Sequence, residues 1–389
     1  MVFKTMRLGD VLELRRGFDL PKSKREKGCV PVYSSSGISG YHSVSAVDGP
    51  CLVTGRCGTI GQVFYSEKPC WPLNTSLYAT EFKGNNSRFL YYFLKTLPWE
   101  SYATASAVPG INRNHVNAIP VCLPDLKCQV GIASLLGALD DKIALNKRIN
   151  GYLAALGEAI ATRHSNEADG TLDDICNQSK EAVSFESAQL ETYVSTENLL
   201  PNKAGLQLSA GLPTSGKVTR YRKGDTLIAN IRPYFKKIWY ATDEGTCSGD
   251  VIVFRANDVR YAPYVFFSLF CDEFFKYVML GAKGTKMPRG DKKQMMTFPI
   301  CTNCNSTDLQ LLHELASMIG TNHAESRQLA RLRDVLLPEL MSGEIDVSKV
   351  DLTQLNSHLA QIRKLNADYR ICDVFPEPTI RRLYLISNL

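Results

Sequence analysis

The feature of this sequence that most constrains its fold is a long internal repeat. Two segments, at about residues 126–163 and 307–337, carry apolar residues at helical spacing, and the matching positions lie 176 residues apart. The matched pairs are Leu136 and Leu312, Leu139 and Leu315, Ile143 and Ile319, Leu153 and Leu329, Leu156 and Leu332, and Ile160 and Leu336. The same shift relates Asn146 to Asn322 and Arg56 to Arg232. Such a repeat predicts two copies of one folding unit.

The repeat also sets the order of the parts. Ile119-Pro120-Val121 matches Phe298-Pro299-Ile300, so a strand that carries a proline precedes each long helix. We therefore predict a first domain at residues 1–124, a first long helix at 125–164, a second domain at 165–305 and a second long helix at 306–340. A tail at 341–389 follows, and from Ile345 onward it has no counterpart in the first half.

The two helical segments alternate apolar steps of three and four residues, which is typical of a coiled-coil seam. At about 1.5 Å per residue, each helix spans roughly 45–57 Å. Helices of that length in a repeated chain are expected to pack against each other, and antiparallel if a pseudo-two-fold axis relates the halves. Asn146 and Asn322 then lie near the seam and fix its register, or they are simply exposed. Pro338 is expected to end the second helix.

The domains that precede the helices show mixed patterns, which makes the predicted fold class α+β. Period-two apolar patterns and turn residues predict strands and shorter helices. The predicted strands are Val30–Tyr33, Cys51–Thr54, Gln62–Tyr65, Leu77–Phe82, Asp225–Ile231, Lys237–Ala241 and Val251–Arg255. The predicted shorter helices are Ser87–Leu97 and Tyr261–Val278.

Composition narrows the protein class. The longest apolar run, around Tyr261 to Phe270, is half the length needed to span a bilayer, and no apolar signal segment follows Met1. The 12 cysteines have no regular spacing, which favours free thiols in a reducing compartment. We therefore expect a cytoplasmic protein without a membrane partner. The net charge of +6 is compatible with nucleic acid but does not identify it.

The positions of the cations carry more information than their number. Basic residues crowd an early segment at 15–27, a strand–turn–strand segment at 220–237, and a glycine-rich segment at 283–293. The first domain has a milder counterpart of the last segment at 110–115, rich in the Asn and Arg that read base edges. Any one cluster is as well explained by a solvated loop. Clusters at matching places in both repeats, just before the strand that carries a proline, favour DNA.

Enzyme and metal readings fit poorly. The segment Gly211–Val218 nearly fits a phosphate-binding loop, but its last position is Val where Ser or Thr must hold magnesium. Cys301 and Cys304 are followed by His313 and His323, whose spacing is too wide for a structural zinc site, so a surface turn with two thiols is favoured. No methyltransferase or hydrolase motif is present.

Taken together, these residues resemble those of a known family, the specificity subunits of type I restriction–modification systems. The resemblance covers nearly all of residues 5 to 344. Its marks are Leu8-Gly9-Asp10-Val11, Arg15-Arg16-Gly17-Phe18, Pro31-Val32-Tyr33-Ser34, residues 52–61, Gly110-Ile111-Asn112, Pro120-Val121-Cys122-Leu123-Pro124, Asp140-Asp141-Lys142-Ile143 and residues 336–344. The tail beyond Ile345 departs from the family pattern.

The resemblance implies two target recognition domains, each reading one half of an asymmetric, bipartite site in double-stranded DNA. The paired helices set the spacing between the two half-sites and bind two methyltransferase subunits. Restriction subunits also join the complex. It implies no catalysis and no cofactor in this chain, with S-adenosylmethionine, ATP and magnesium in the partner subunits. The alternative is a helical scaffold or silent copy that does not read DNA.

The residues predicted to contact DNA come from the basic clusters of both domains. They are Lys22, Lys24, Arg25, Arg56, Asn112, Arg113, Asn114, Asn230, Arg232, Lys236, Lys237, Lys283, Lys286, Arg289, Lys292 and Lys293. No catalytic residue and no metal ligand is predicted.

Overall fold

The structure is a computed structural model that describes residues 2–103 and 110–349. The described chain divides into two compact units. Unit 1 contains residues 2–103, 110–145 and 326–349, and unit 2 is Asn146–Glu325. Each unit holds a mixed domain together with a segment of both long helices. The tail expected to form a separate segment lies, from residue 350 onward, outside the described residues.

Unit 1 is built from short strands and two short α-helices. Its strands are β1 (Phe3–Arg7), β2 (Arg15–Arg16), β3 (Val30–Ser34), β4 (Gly37–His42), β5 (Cys51–Gly55), β6 (Val63–Ser66), β7 (Trp71–Pro72), β8 (Ser76–Ala79) and β9 (Pro120–Pro124). Its short helices are α1 (Ser87–Lys95) and α2 (Arg113–Asn117). The strands form three sheets, ordered β2-β8-β5-β6, β4-β3-β7 and β1-β9.

The long helices are α3 (Leu126–Ser165) and α8 (Ser306–Ser342). The core of unit 1 lies between its four-stranded sheet, α1 and segments of both long helices. Leu52 of β5, Phe89 of α1 and Leu136 of α3 are fully buried in it. Leu340 and Val347, from the far end of the sequence, belong to the same core. The first domain therefore depends on residues that follow the second domain in sequence.

Unit 2 is also built from short strands and short helices. Its strands are β10 (Gly170–Thr171), β11 (Cys176–Ser179), β12 (Ala182–Ser184), β13 (Tyr193–Val194), β14 (Lys217–Tyr221), β15 (Thr226–Ala229), β16 (Ile238–Tyr240), β17 (Gly245–Cys247), β18 (Val251–Ala256) and β19 (Pro299–Ile300). Its short helices are α4 (Leu172–Ile175), α5 (Ala262–Phe270), α6 (Asp272–Leu280) and α7 (Lys292–Met296). Its sheets are ordered β11-β18-β15-β16, β12-β14-β17-β13 and β10-β19.

The core of unit 2 is rich in aromatic side chains. Tyr264, Phe267 and Phe274 from α5 and α6 are fully buried between the sheet and the long-helix segments. α3 approaches α5 closely at Gly157, where a Cβ atom would lie 2.2 Å from the Phe267 ring. Only glycine leaves room for that ring, so Gly157 is part of the packing rather than a weak point in the helix.

Within each unit, the segment of α3 contacts the segment of α8. In unit 1, Arg333 of α8 donates to Asp140 of α3 at 2.7 Å. In unit 2, the Asn146 side chain donates to the Asn322 carbonyl (3.4 Å) and to Glu325 (2.7 Å). Asn146 is 1% exposed, so the alternative that this residue is simply exposed is wrong.

Three sequence expectations were wrong in detail. Pro338 does not end the second helix, because α8 continues to Ser342 and buries Leu340 in the core of unit 1. The predicted helix from Tyr261 to Val278 is two helices, since Cys271 is extended and α6 starts afresh at Asp272. The two thiols of Cys301 and Cys304 are buried in unit 2, not on a surface turn.

Candidate nucleic-acid interface

In unit 1 the turn after the central strand β5 packs on the segment that leads into α2. The Ile111 amide donates to the Arg56 carbonyl at 2.8 Å. Next to this bond, the backbones of Cys57 and Gly110 pair in an isolated antiparallel β-bridge. The turn is tight, because a Cβ atom on Gly55 would lie 1.9 Å from the Thr59 carbonyl oxygen. Glycine is therefore required at position 55, the last residue of β5, immediately before Arg56.

The helix α2 begins at this turn. The Asn112 side chain accepts from the Asn114 amide (3.0 Å) and caps the helix, while Arg113 and Asn114 are exposed. An open cleft of about 530 Å³ lies here, which we call the Arg56 cleft. Its polar and charged lining comes from Arg16, Arg56, Asn112, Arg113 and Asn114. The structure thus brings together four of the residues predicted from sequence.

The other predicted cations of unit 1 do not line this cleft. Lys22 and Lys24 are exposed on a single 3-10 turn. Arg25 is half-buried, and its guanidinium donates to the Ser39 carbonyl of β4 at 2.9 Å. Arg25 therefore holds the early basic segment against the β3–β4 hairpin.

In unit 2 the equivalent turn follows β15. The Arg232 amide donates to the Pro288 carbonyl (2.7 Å), and the Gly290 amide donates to the Asn230 carbonyl (3.3 Å). The backbones of Ile231 and Arg289 pair in an isolated antiparallel β-bridge. Asn230 itself is buried, and its side-chain oxygen has no hydrogen-bond partner among the described residues. The turn of unit 1 packs on the segment that begins at Gly110, and the turn after the central strand of unit 2 packs on the glycine-rich segment at residues 283–290.

That second segment, residues 283–290, is named the basic loop here. Lys283 and Arg289 exchange two backbone hydrogen bonds of 2.9 Å, which fold the loop into a tight hairpin. Lys283 pairs with Asp291 (3.2 Å), Arg289 pairs with Asp250 (3.1 Å), and Lys286 is exposed. Exposed ion pairs of this kind contribute little stability, so both cations can exchange their carboxylates for phosphates.

The basic loop ends where α7 begins. Asp291 caps α7 by accepting from the amides of Lys293 (2.9 Å) and Gln294 (3.3 Å). The backbone hydrogen bond from Gln294, followed by the contact with Lys283, lowers the pKa of Asp291. Lys292 and Lys293 are exposed in the first turn of this helix, where the sequence suggested a loop. A five-residue helix capped by a polar side chain therefore follows the contacting segment in both units.

Lys236 and Lys237 are instead engaged within unit 2. Lys236 pairs with Asp272 at 2.9 Å, and Lys237 donates to the Thr196 carbonyl. Burial lowers the pKa of Lys237. The structure therefore ties these two predicted DNA-binding cations to the domain itself.

Asp272, which starts α6, makes this anchoring sensitive to acid. Burial opposes its ionisation, but hydrogen bonds from Lys203 and Lys236 outweigh burial and lower the pKa of Asp272 to about 2. The pKa is lowered on folding, so the stabilisation is present above the ordinary value of 3.8 and is lost as the pH falls toward 2. We expect Asp272→Asn to flatten the loss of stability between about pH 4 and pH 2.

This expectation is checked by denaturant unfolding of both proteins at several pH values. Glu273→Gln, on the same helix in an exposed pair with Lys276, is the control and should follow the wild-type curve. If the Asp272→Asn curve ran parallel to wild type throughout, the assignment would fail.

Two charged residues of these surfaces were not among the sequence predictions. Arg16 lines the Arg56 cleft because β2 pairs with β8, and Asp250 holds Arg289. Arg16 lies in the early basic segment, but the pairing that brings it to the cleft joins residues more than sixty apart in sequence. No local pattern indicates that pairing.

Among the described residues, no cluster of three or more His, Cys, Asp or Glu side chains is arranged to hold a metal ion. Within the same residues, no helix is both long enough and apolar enough to cross a membrane.

Residues 2–154 match the family described as Type I restriction modification DNA specificity domain. Over 143 residues the chain is 24% identical to the Type I restriction enzyme EcoprrI specificity subunit of Escherichia coli. That match covers 35% of this chain and 36% of the relative.

The fold has a solved counterpart over most of its length. The S subunit of a type I restriction-modification system from M. genitalium aligns with a TM-score of 0.55 and 14% identity, covering 87% of this chain and 96% of that one. At this identity the likeness shows a shared fold.

The N-terminal part of the chain is thus a type I restriction modification DNA specificity domain. These matches support the resemblance to the specificity subunits of type I restriction–modification systems that the sequence motifs indicate.

Proposed function

We propose that this chain is the DNA sequence-recognition subunit of a type I restriction–modification complex. The domains predicted at residues 1–124 and 165–305 each read one half of an asymmetric, bipartite site. The long helices set the spacing between the half-sites and bind two methyltransferase subunits. Restriction subunits then join this complex.

One observation carries this proposal. In both units the turn after the central strand, at Arg56 and at Arg232, packs on a segment that contains glycine and leads into a capped five-residue helix. Each arrangement presents exposed Arg, Lys or Asn side chains on tightly folded backbone. Cations of this kind bind phosphates, and Arg and Asn read base edges. The side chains differ between the units, which favours two different half-sites.

The helix contacts support the spacer role. Asn146 and Asn322 are equivalent in the sequence repeat, and the Asn146 side chain donates to the Asn322 carbonyl. Equivalent residues of two copies meet in this way when they lie on a two-fold axis. Asn322 also donates to Asn150 (2.8 Å), so a polar layer fixes the register in the proposed antiparallel coiled coil.

In this proposal the chain is not catalytic. S-adenosylmethionine, ATP and magnesium belong to the partner subunits, and methylation of adenine and cleavage take place there. The chain contributes the choice of sequence and the distance between the two half-sites.

The basic loop gives the most direct test. Replacing Lys283, Lys286 and Arg289 by Ala should weaken binding to a mixed-sequence DNA duplex. It should also reduce the slope of log K against log salt by roughly one to three, because each phosphate contact contributes about one. Fluorescence anisotropy across a salt series measures both quantities on the full chain.

The matched control removes three exposed cations of unit 2 outside the basic segments: Lys180, Lys217 and Arg260. Its binding and salt slope should stay near those of wild type. Equal behaviour of the two triple variants would reject the basic loop as a phosphate contact and favour the scaffold alternative.

A further inference from the structure

We propose that Tyr234 and Phe235 form an aromatic wedge, which stacks against base pairs of the duplex that unit 2 binds. This inference rests on the proposed function and adds a specificity-determining element to it. The two residues lie between Arg232 and Lys236, in a segment that we call the aromatic turn (residues 232–236).

The first observation is the exposure of two adjacent rings. Tyr234 is 46% exposed and Phe235 is 37% exposed. Their ring centroids lie 4.7 Å apart with an interplanar angle of 56°. Each ring covers part of the other, and together they present one apolar surface to solvent. Such a surface is unfavourable in water unless a partner covers it.

The second observation is the backbone conformation around these rings. Arg232 (φ 53°) and Lys236 (φ 50°) flank them in the left-handed region, which non-glycine residues rarely adopt. Asn202 (φ 56°) and Lys203 (φ 61°) lie opposite and share that conformation. Four of the five non-glycine residues with positive φ in the described chain thus surround one turn. Strain concentrated in this way is typical of functional sites.

Hydrogen bonds hold the aromatic turn in place from two sides. The Asn202 amide donates to the Phe235 carbonyl (2.7 Å), and the Lys203 amide donates to the Lys236 carbonyl (2.9 Å). The Arg232 amide donates to Pro288 of the basic loop (2.7 Å). The rings are therefore presented by a fixed backbone, and little conformational entropy is lost when a partner covers them.

The charges beside the turn identify that partner as DNA. The bond from Arg232 to Pro288 joins the aromatic turn to the basic loop, which carries exposed Lys286 and Arg289. When cations bind the phosphates of the duplex, neighbouring apolar side chains are brought close to the bases. Apolar wedges in DNA-binding proteins enter between base steps and partly unstack them.

The wedge predicts a form of specificity without hydrogen bonds to bases. Unstacking costs least at flexible pyrimidine–purine steps, so the wedge should favour such a step in the half-site of unit 2. In the repeat, Gly58 and Thr59 of unit 1 correspond to Tyr234 and Phe235. Unit 1 lacks the rings at these positions, so its half-site should show no preference of this kind.

The experiment compares the full chain with the variant Tyr234→Ala/Phe235→Ala. Each protein selects from duplexes with a randomised central sequence, and the bound fragments are sequenced. The variant should lose the preference at one base step in one half-site and keep the other half-site. Its affinity for the wild-type consensus should fall about tenfold or more, while the salt slope stays unchanged because no phosphate contact is removed.

A 2-aminopurine placed at that step reports unstacking directly. Its fluorescence should rise when wild-type protein binds and stay low with the variant. The exchange Tyr234→Phe/Phe235→Tyr keeps both rings and should behave as wild type. Tyr152→Ala, which removes an exposed ring from α3, controls for loss of aromatic surface. Trp239 fluorescence, measured in a background that keeps only this tryptophan, confirms that unit 2 is folded.

The outcomes separate the wedge from the proposed function. An unchanged consensus and affinity in the double-Ala variant, with weakened binding in the basic-loop variant, overturns the wedge alone. Unchanged DNA binding in both variants overturns the proposed function as well. Intact DNA binding with lost binding of a methyltransferase subunit would assign the rings to a protein interface and also overturn the wedge.

Discussion

Phe267→Ala should lower the free energy of unfolding of unit 2 by about 3–5 kcal/mol. Phe267 is fully buried in the aromatic core, so its removal leaves a cavity that the surrounding helices fill only in part. Trp239 is the tryptophan of unit 2, whereas Trp71 and Trp99 lie in unit 1. Denaturant unfolding of variants that keep only Trp239, or only the other two, measures the effect in each unit.

Gly157 supplies a sharper form of the same test. Gly157→Ala alone should destabilise by about 1–3 kcal/mol, because the new methyl group collides with the Phe267 ring. In the Phe267→Ala background the same change should stabilise by about 1 kcal/mol. The ring is then absent, and Ala is the better helix former. Loss of stability in both backgrounds would show that Gly157 does not pack on Phe267. Leu280→Ala, at an exposed position on α6, should be near neutral.

Lys203→Met should cost a comparable amount, about 3–5 kcal/mol. The Lys203 ammonium pairs with Glu158 (3.2 Å) and Asp272 (2.7 Å) and lies over the Phe270 ring. The side chains of Lys203 and Glu158 are 10% and 9% exposed, so Met would leave Glu158 buried without this cation. Urea unfolding followed by Trp239 fluorescence, in variants that keep only this tryptophan, measures the loss.

Two controls distinguish burial of charge from loss of packing. Lys203→Met combined with Glu158→Gln should recover much of the stability, because the buried carboxylate is gone. Lys276→Met breaks an exposed pair with Glu273 and should cost less than about 1 kcal/mol. A loss as small for Lys203→Met as for Lys276→Met would contradict the assignment.

The long helices were predictable because repeated leucine spacing is a local signal that survives divergence. Where the second helix ends was not, because the core contact of Leu340 outweighs the hydrogen bond lost at Pro338. The break at Cys271 was equally hidden. The sequence is apolar on both sides of it, and α6 starts at Asp272 through ion pairs with Lys203 and Lys236, which are distant in sequence.

The candidate site was predictable in its clusters but not in its partners. Arg56 with Asn112, and Arg232 with the basic loop, come together as matching segments of the repeat suggested. The sequence could not distinguish cations that face solvent from Lys236 and Lys237, whose acceptors Asp272 and Thr196 lie far along the chain. The aromatic turn gave no sequence signal, because left-handed backbone at Arg232 follows from tertiary hydrogen bonds.

The composition of the core of unit 1 determines which unit can complete its folding first while the chain is being synthesised. Leu340 and Val347 fill that core, whereas unit 2 is one continuous stretch, Asn146–Glu325. The ribosome makes the chain from its amino end, so all of unit 2 emerges before unit 1 has its last core residues. The domain that is translated first is therefore finished last. In the interval Leu136 and its neighbours lack their α8 partners, and a nascent chain stalled before residue 340 would expose this apolar surface to chaperones.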